Sequence, residues 1–253
     1  MKTTRIDLME EYILEKHSVS IEEICNHFSI SKSTARRNLD ELVKRGKTKK
    51  VYGGICALDS PDSVMPLLSF KERDIVNQEE KKHICKTAAS LVEPFDIIYI
   101  DTGTTCINMI DYIKDIPCTV ITNSLNVSLK SIPYPDIDII IIPGHLNRKT
   151  GSFTGHDIES FLRTVNIKKA FMATTGVSIQ GGLTNAAVDE YTVKKNICNN
   201  SQTIYLLADH DKFDRTALYT YCELDKINTL ITDRCPEENY VNFCQNHNIQ
   251  LIY

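Results

Sequence analysis

The sequence predicts an α/β protein: a small helical unit at the N-terminus, then a larger, mostly parallel sheet covered by helices on both faces. Two features carry that expectation. Short aliphatic runs, among them "IIYI" at 97–100, "IDIIII" at 137–142 and "TIYLLA" at 203–208, alternate with amphipathic stretches from residue 97 onward, the pattern of strands buried on both faces. Charge is also divided unevenly. Residues 1–55 hold eleven Lys/Arg against eight Asp/Glu, about +3, and the remainder holds eighteen against twenty-five, about −7. An acidic chain with one basic end points to a polyanion at that end.

The length, 253 residues, suits one large domain plus a small one. A balance of 42% apolar and 25% charged residues is that of an ordinary soluble globular protein. The longest aliphatic run, "IDIIIIP" at 137–143, is too short to cross a bilayer, and the opening "MKTTRIDLMEEY" carries acids where a secretion signal needs an apolar segment. A cytoplasmic location without membrane contact is therefore expected. Nine cysteines without any C-x-x-C pair fit reduced, mostly buried side chains better than a disulfide framework or a zinc knuckle.

The first element is a helix over about 4–16, with Ile6, Met9 and Ile13 at helical spacing. Ser20 and Glu23 have the spacing of a capping box for a second helix, whose apolar stripe is Ile21, Ile24, Cys25 and Phe28. After the tight "FSIS" connection, Ser31 caps a third helix, 32–45, with Ala35, Leu39, Leu42 and Val43 on one face and Gly46 as its stop. The opposite face carries Lys32, Ser33, Thr34, Arg36 and Arg37 on its first two turns. Two short helices so joined form a helix-turn-helix, which sets its second helix in the major groove of DNA. Two short strands around Gly53 and Gly54 then make a basic wing, with Lys49, Lys50 and Tyr52 suited to phosphate contacts.

The stretch "VSIEEICNHFSISKSTARRNLDELVKRGKTKKVYGGI" closely resembles the winged helix-turn-helix of the DeoR family of bacterial transcription regulators, whose signature runs Ser-x-x-Thr-Ile-Arg-Arg-Asp-Leu and then Arg-x-x-Gly-Gly. Ser31, Thr34, Arg36, Arg37, Leu39, Gly53 and Gly54 match it. Ala35 replaces the usual Ile, Asn38 the Asp, Lys50 the wing Arg and Tyr52 the common His. Ala35 is a packing change, whereas loss of an acid and a bidentate Arg near DNA is expected to alter operator preference. The resemblance implies double-stranded operator DNA as partner, with Ser20, Ser31, Lys32, Ser33, Thr34, Arg36, Arg37, Lys49, Lys50, Tyr52, Gly53 and Gly54 at the interface.

The domain boundaries expected are 1–58 for the winged unit, 59–76 for a linker holding two prolines and no sustained period, and 77–253 for the larger domain. Asn77 and Glu80 offer a capping pair for a helix that turns Ile84, Ala88, Leu91 and Val92 inward. Strands at 97–100, 118–122, 137–142, 170–174, 203–208, 229–232 and 249–253 alternate with helices at about 104–113, 124–131, 156–164, 187–199 and 237–246. Ligands of such sheets bind at the carboxyl ends of the strands. That makes candidates of five turns: "DTGTT" 101–105, "TNS" 122–124, "PGH" 143–145, "TTGVS" 174–178 and "ADHDKF" 208–213.

In "DTGTT", Gly103 permits close backbone approach, a following helix start offers free N–H groups, and Thr104 and Thr105 add hydroxyls, a cradle suited to a phosphate monoester. The same turn also caps helices without any ligand. Lys212 is a counter-charge from a neighbouring strand end, and Asp101 and Asn123 suit sugar hydroxyls. Glu190 and Lys194, one turn apart, read first as a surface helix pair.

The same turns, with "TGVSIQGGLTN" and "DEYTVKK", look like the DeoR-type sensor domain, whose fold is similar to that of ribose-5-phosphate isomerase. The resemblance implies a phosphorylated sugar or polyol effector bound by Asp101, Gly103, Thr104, Thr105, Thr122, Asn123, Gly144, Lys194, Asp209 and Lys212, with Glu190 beside them, and a homo-oligomer, dimer or tetramer. His145, His210 and Asp211 depart from the family pattern, and the expectation is that they tune which sugar fits. No cofactor, catalytic residue or metal ligand is assigned. The function expected is a repressor of a carbohydrate or polyol operon. A phosphosugar isomerase is the alternative, with Glu190 or Asp209 as base, although the glycine-rich lysine loop of ribose-5-phosphate isomerases is absent. A metal sensor built on His145, His156, His210 and Asp211 lacks any supporting spacing.

Overall fold

The computed structural model describes residues 5–16, 18–51, 54–57, 69–155 and 158–253. The chain folds as two units, Met1–Asp62 and Ser63–Tyr253. Tyr52, Gly53, His156 and most of the expected linker lie outside the described residues, as do the side chains of Ser20, Lys49 and Lys50.

In the first unit the order is α1 (Arg5–Lys16), β1 (Ser18–Ser20), α2 (Ile21–Phe28), α3 (Lys32–Lys44), β2 (Thr48–Val51) and β3 (Gly54–Ala57). The wing strands β2 and β3 pair antiparallel, and β1, which the sequence did not announce, adds a third strand on the other edge of β3. Met9 and Ile13 of α1, Ile24 of α2, Ala35, Leu39 and Leu42 of α3, with Val19 and Ile55, form one buried cluster. Val43 is only half-buried.

The second unit opens with α4 (Phe70–Asp74) and α5 (Gln78–Ala89). Residues 70–74, expected as linker, are thus helical. Ser69 and Glu72 form a reciprocal capping box, and the Phe70 N–H binds the Lys149 carbonyl at 2.9 Å. The capping pair expected at Asn77 and Glu80 is not formed. Asn77 has a left-handed backbone (φ 51°) and no side-chain cap bond, and its amide binds Asp209 (3.1 Å) and Asp211 (2.9 Å) instead.

The chain continues as β4 (Ile97–Ile100), α6 (Met109–Ile113), β5 (Cys118–Thr122), α7 (Leu125–Ser131), β6 (Ile137–Ile141), the hairpin β7 (His145–Asn147) and β8 (Ser152–Thr154), α8 (Ile158–Leu162) and β9 (Ile167–Ala173). It ends with β10 (Gly176–Ser178), β11 (Gly182–Asn185), α9 (Val188–Asn200), β12 (Ser201–Leu207), β13 (Tyr219–Cys222), β14 (Thr229–Ile231), α10 (Glu238–Asn246) and β15 (Gln250–Ile252). Seven strands make one parallel sheet in the order β15-β14-β12-β9-β4-β5-β6. A smaller antiparallel sheet, β10-β11-β13, was not expected.

Alternation explains why the central strands are aliphatic throughout. In β4, Ile98 and Ile100 face the cluster that includes Ile84 of α5 and Met109 of α6, and Tyr99 faces the cluster that includes Val193 and Ile197 of α9. In β9, Phe171 and Ala173 join the first cluster, Ala170 and Met172 the second. Both faces are therefore core, as in parallel sheets generally. The described cysteines are all free thiols, six of the eight of them buried. Among the described residues no helix is long and apolar enough to cross a membrane.

Candidate functional site

The first unit presents a polar helix face. Ser31 Oγ accepts the Thr34 N–H at 3.3 Å and starts α3. Burial of Ala35, Asn38, Leu39 and Leu42 turns Lys32, Ser33, Arg36 and Arg37 outward, with Thr34 half-buried between them. Not all the local basic charge belongs to that face. Arg45 is held by Asp7 at 2.9 Å, and Lys47 stands 3.5 Å from Glu10, so both tie the end of α3 and the following turn to α1. Asn38 also corrects an expectation. It is 8% exposed and donates to Met9 Sδ at 3.5 Å, so its departure from Asp concerns packing against α1 and not a surface that meets DNA.

In the second unit the strand order reverses beside β4. From β4 the chain steps outward through β5 to β6, then returns to β9 on the other side and proceeds to β12, β14 and β15. The carboxyl ends of β4 and β9 thus flank the topological switch point, where open α/β sheets bind ligands. A pocket of about 50 Å³ lies there. It is lined by Thr102, Gly103, Thr104 and Thr105 after β4, by Ala173, Thr174 and Thr175 at the end of β9, and by Asn185 and Ala186 at the end of β11. Glu190 and Lys194 of α9, Lys212, and Arg73 of α4 complete it.

Six residues named from the sequence therefore meet in one place: Gly103, Thr104, Thr105, Glu190, Lys194 and Lys212. Close approach is the reason for Gly103, since a Cβ there would lie 2.1 Å from Ala173 Cβ. The turn is not a helix start, as had been expected. It runs through three-residue bonds, Cys106 N–H to Gly103 O (2.9 Å) and Met109 N–H to Cys106 O (3.0 Å), and α6 begins only at Met109. The N–H groups of Thr104 and Thr105 have no acceptor among the described residues, which leaves a backbone nest for an anion.

Asp101, Thr122 and Asn123 stand behind the pocket with their polar groups engaged. Asp101 is 1% exposed, accepts the Thr102 N–H (2.8 Å) and the Ala173 N–H (2.9 Å), and pairs with Lys194. Asn123 accepts the Tyr99 hydroxyl (2.7 Å) and donates to Phe153 O (3.1 Å). Thr122 Oγ1 donates to Ile100 O at 2.7 Å and accepts the Ser124 N–H at 3.0 Å. Asp101 and Asn123, expected to meet sugar hydroxyls, brace the fold through these hydrogen bonds. Gly144 lies against Thr154, whose carbonyl oxygen a Cβ would meet at 2.5 Å.

Asp209 is fully buried. One oxygen accepts Asn77 Nδ2 and the Asp211 N–H, each at 3.1 Å, and the other lies 3.8 Å from Lys212 Nζ. His145 is exposed on β7. His210 bonds Asp233 at 2.7 Å. Neither lines the pocket, and Asp211 does not either. Among the described residues no group of three or more His, Cys, Asp or Glu is placed to hold a metal ion.

Two cations went unrecognised in the sequence. Arg73 lines the pocket, its Nε and Nη2 buried and without a partner among the described residues. Lys81 is 3% exposed and donates to Arg73 O at 2.5 Å. Burial, reinforced by the nearby Lys212 charge, pushes the Lys81 ammonium down to about 8. The Ser-x-x-Glu spacing at 69–72 was the one sequence signal for the helix that carries Arg73.

Comparison with known proteins matches both units. A family model described as DeoR-like helix-turn-helix domain covers residues 5–61, and one described as DeoR C terminal sensor domain covers residues 76–234. The chain is 38% identical to the HTH-type transcriptional regulator IolR of Bacillus subtilis (strain 168), over 98% of each chain. It is 28% identical to the glycerol-3-phosphate regulon repressor of Escherichia coli (strain K12), over 99% of this chain and 98% of that one. Among solved structures it is similar to ribose 5-phosphate isomerase A from Methanocaldococcus jannaschii, at 19% identity and a TM-score of 0.41, over 54% of this chain and 55% of that one.

Proposed function

We infer the function from one premise: the chain belongs to the DeoR family of transcriptional regulators. It binds operator DNA by setting α3 in a major groove, with Arg36 and Arg37 reading base edges and the wing lying along phosphates. Its second unit takes a phosphorylated sugar or polyol at the ends of β4 and β9, and the ligand changes operator affinity because it binds two arrangements of the protein unequally. The chain acts as a repressor of a carbohydrate or polyol operon, in the cytoplasm, as a homo-oligomer. The relative named as a repressor of a glycerol-3-phosphate regulon supports that sense of regulation. The exposed Leu129 of α7, Ile132 just beyond it and Ile141 of the edge strand β6 support self-association.

The observation that carries this reading is the joining, in one chain, of an outward polar and basic helix face to a pocket lined by N–H donors that have no partner among the described residues. Selection of genomic fragments by the purified chain, followed by mobility shift across a salt series, tests the DNA arm. One fragment class should survive at salt concentrations that release the rest. The absence of any sequence preference at every salt concentration would sink it.

One observation favours a second reading. Glu190 lines the pocket, and among the described residues its buried Oε1 has no hydrogen-bond partner, as an uncommitted base of a phosphosugar isomerase would have none. Incubation with aldose phosphates decides between them. Turnover that Glu190→Gln abolishes would establish an enzyme.

A further inference from the structure

A buried polar atom without a partner costs free energy until something binds it. Among the described residues those atoms are Glu10 Oε1, Thr48 Oγ1, Asp209 Oδ2, Glu190 Oε1 and the Nε and Nη2 of Arg73. Glu10 and Thr48 belong to the first unit, and Asp209 faces Lys212. Arg73 and Glu190 are different. They line one pocket, carry opposite charge, and reach it from separate helices, α4 and α9.

We propose that this pocket selects a singly phosphorylated ligand with a free hydroxyl close to its phosphate, Arg73 gripping the phosphate and Glu190 accepting the hydroxyl through Oε1. The inference rests on the sensor reading above and adds to it the residue that grips and the residue that discriminates.

Arg73 is held in place for that task. Its helix is fixed by the Ser69 and Glu72 capping box and by the bond from Phe70 to Lys149, its carbonyl is anchored by Lys81, and its guanidinium carbon lies 6.0 Å from the centre of the Phe70 ring. A planar fork with two nitrogens unspent matches two phosphate oxygens, which the point charge of a lysine cannot do. Lys212 and the N–H groups of Thr104 and Thr105 border the same pocket and take the remaining charge.

Glu190 is 4% exposed, and its Oε2 accepts Asn185 Nδ2 at 3.1 Å. That amide is itself oriented by Thr175, which donates to Asn185 Oδ1 at 3.3 Å. Oε1 is left as a fixed acceptor. A carboxylate accepts from a hydroxyl and repels a second anion. Arg73 and Glu190 line the same small cavity, about 50 Å³. Sugar bisphosphates and phosphorylated sugar acids are therefore refused, while a monophosphate of a polyol or sugar is taken.

Calorimetric titration of the full chain tests this with four probes: inorganic phosphate, ethyl phosphate, glycerol 3-phosphate and 3-phosphoglycerate. The expected order has glycerol 3-phosphate tighter than ethyl phosphate, and 3-phosphoglycerate at least tenfold weaker than glycerol 3-phosphate. Arg73→Gln should weaken inorganic phosphate at least tenfold. Arg73→Lys, which keeps the charge and the helix, should weaken it too, with an unchanged melting temperature as evidence of folding. Glu190→Gln should tighten 3-phosphoglycerate at least tenfold relative to glycerol 3-phosphate. Wild-type binding of phosphates that both Arg73 variants retain would overturn the inference and leave the sensor reading standing, as would unchanged selectivity in Glu190→Gln. Failure of the wild type to bind any of the four would overturn both.

Discussion

Gly103→Ala is the perturbation whose consequence follows most directly from the packing. A Cβ at position 103 would stand 2.1 Å from Ala173 Cβ, roughly 1.4 Å inside the ~3.5 Å at which two carbons touch. Ala173 has little freedom to retreat. Its N–H binds Asp101 at 2.9 Å, its carbonyl accepts Lys194 Nζ at 2.7 Å and the Tyr221 hydroxyl at 3.0 Å, and its strand is flanked by β4 and β12. The turn must therefore move outward by roughly the whole overlap, which stretches a hydrogen bond of ~2.9 Å from Thr104 or Thr105 to a bound phosphate beyond useful range. Overpacking of this kind costs about 1–3 kcal/mol of stability, and phosphate affinity should fall about tenfold or more. Urea unfolding and calorimetric titration with inorganic phosphate read the two effects. The double variant Gly103→Ala/Ala173→Gly removes the collision at the expense of about 0.5–1 kcal/mol for a glycine in a strand, so it should recover binding, with a coupling energy above about 1 kcal/mol. Wild-type behaviour of Gly103→Ala, or a double variant no better than the single one, would refute the close-approach argument.

Other expectations follow from the same contacts. Asp101→Asn leaves the Lys194 ammonium, 4% exposed at its side chain, without its counter-charge, and should destabilise the second unit by about 3–5 kcal/mol in denaturant titration; a loss below about 1 kcal/mol would contradict the bracing role. Arg36→Ala should weaken operator binding by about 1–3 kcal/mol, whereas Arg45→Ala, whose guanidinium is engaged by Asp7, should leave it nearly unchanged; equal losses in a shift assay would remove the distinction between the two arginines. Lys81 titrates at about 8 in the fold against 10.5 ordinarily, so between those values the unfolded chain holds a proton that the folded chain has released. Its contribution to stability should therefore rise by up to about 3 kcal/mol as pH climbs from about 8 to 10.5, and Lys81→Met should abolish that rise; parallel stability profiles for wild type and variant would count against it.

The sheet was legible because its strands are buried on both faces and so must be aliphatic without interruption, as "IIYI" and "TIYLLA" are. The pocket's centre was legible because Gly103 and the threonines after it have few other reasons to sit at a strand end. The partners of Asp101 and Asn123 were not, since Tyr99 lies two residues from Asp101 and Ala173 lies seventy-two residues from it, and only the fold brings a donor across that interval. Arg73 was hidden in a segment too short for helical periodicity, and Lys81 among Glu79, Glu80 and Lys82 on a helix whose inward face is apolar. The small antiparallel sheet escaped notice for a related reason. Its strands are three or four residues long, and β13 pairs with β11 across more than thirty residues. Asn77 shows the converse, a sequence that matches a cap while its left-handed backbone turns the side chain elsewhere.

The central claim is that one chain reads DNA with its first unit and a phosphorylated ligand with its second. Fluorescence anisotropy of a labelled operator fragment, titrated with sugar and polyol phosphates and with their dephosphorylated counterparts, tests it most directly. At least one phosphorylated compound should change operator affinity where its dephosphorylated counterpart does not, and Gly103→Ala should bind the operator while losing that response. Operator affinity that stays constant under every phosphorylated compound bound by the second unit would contradict the account.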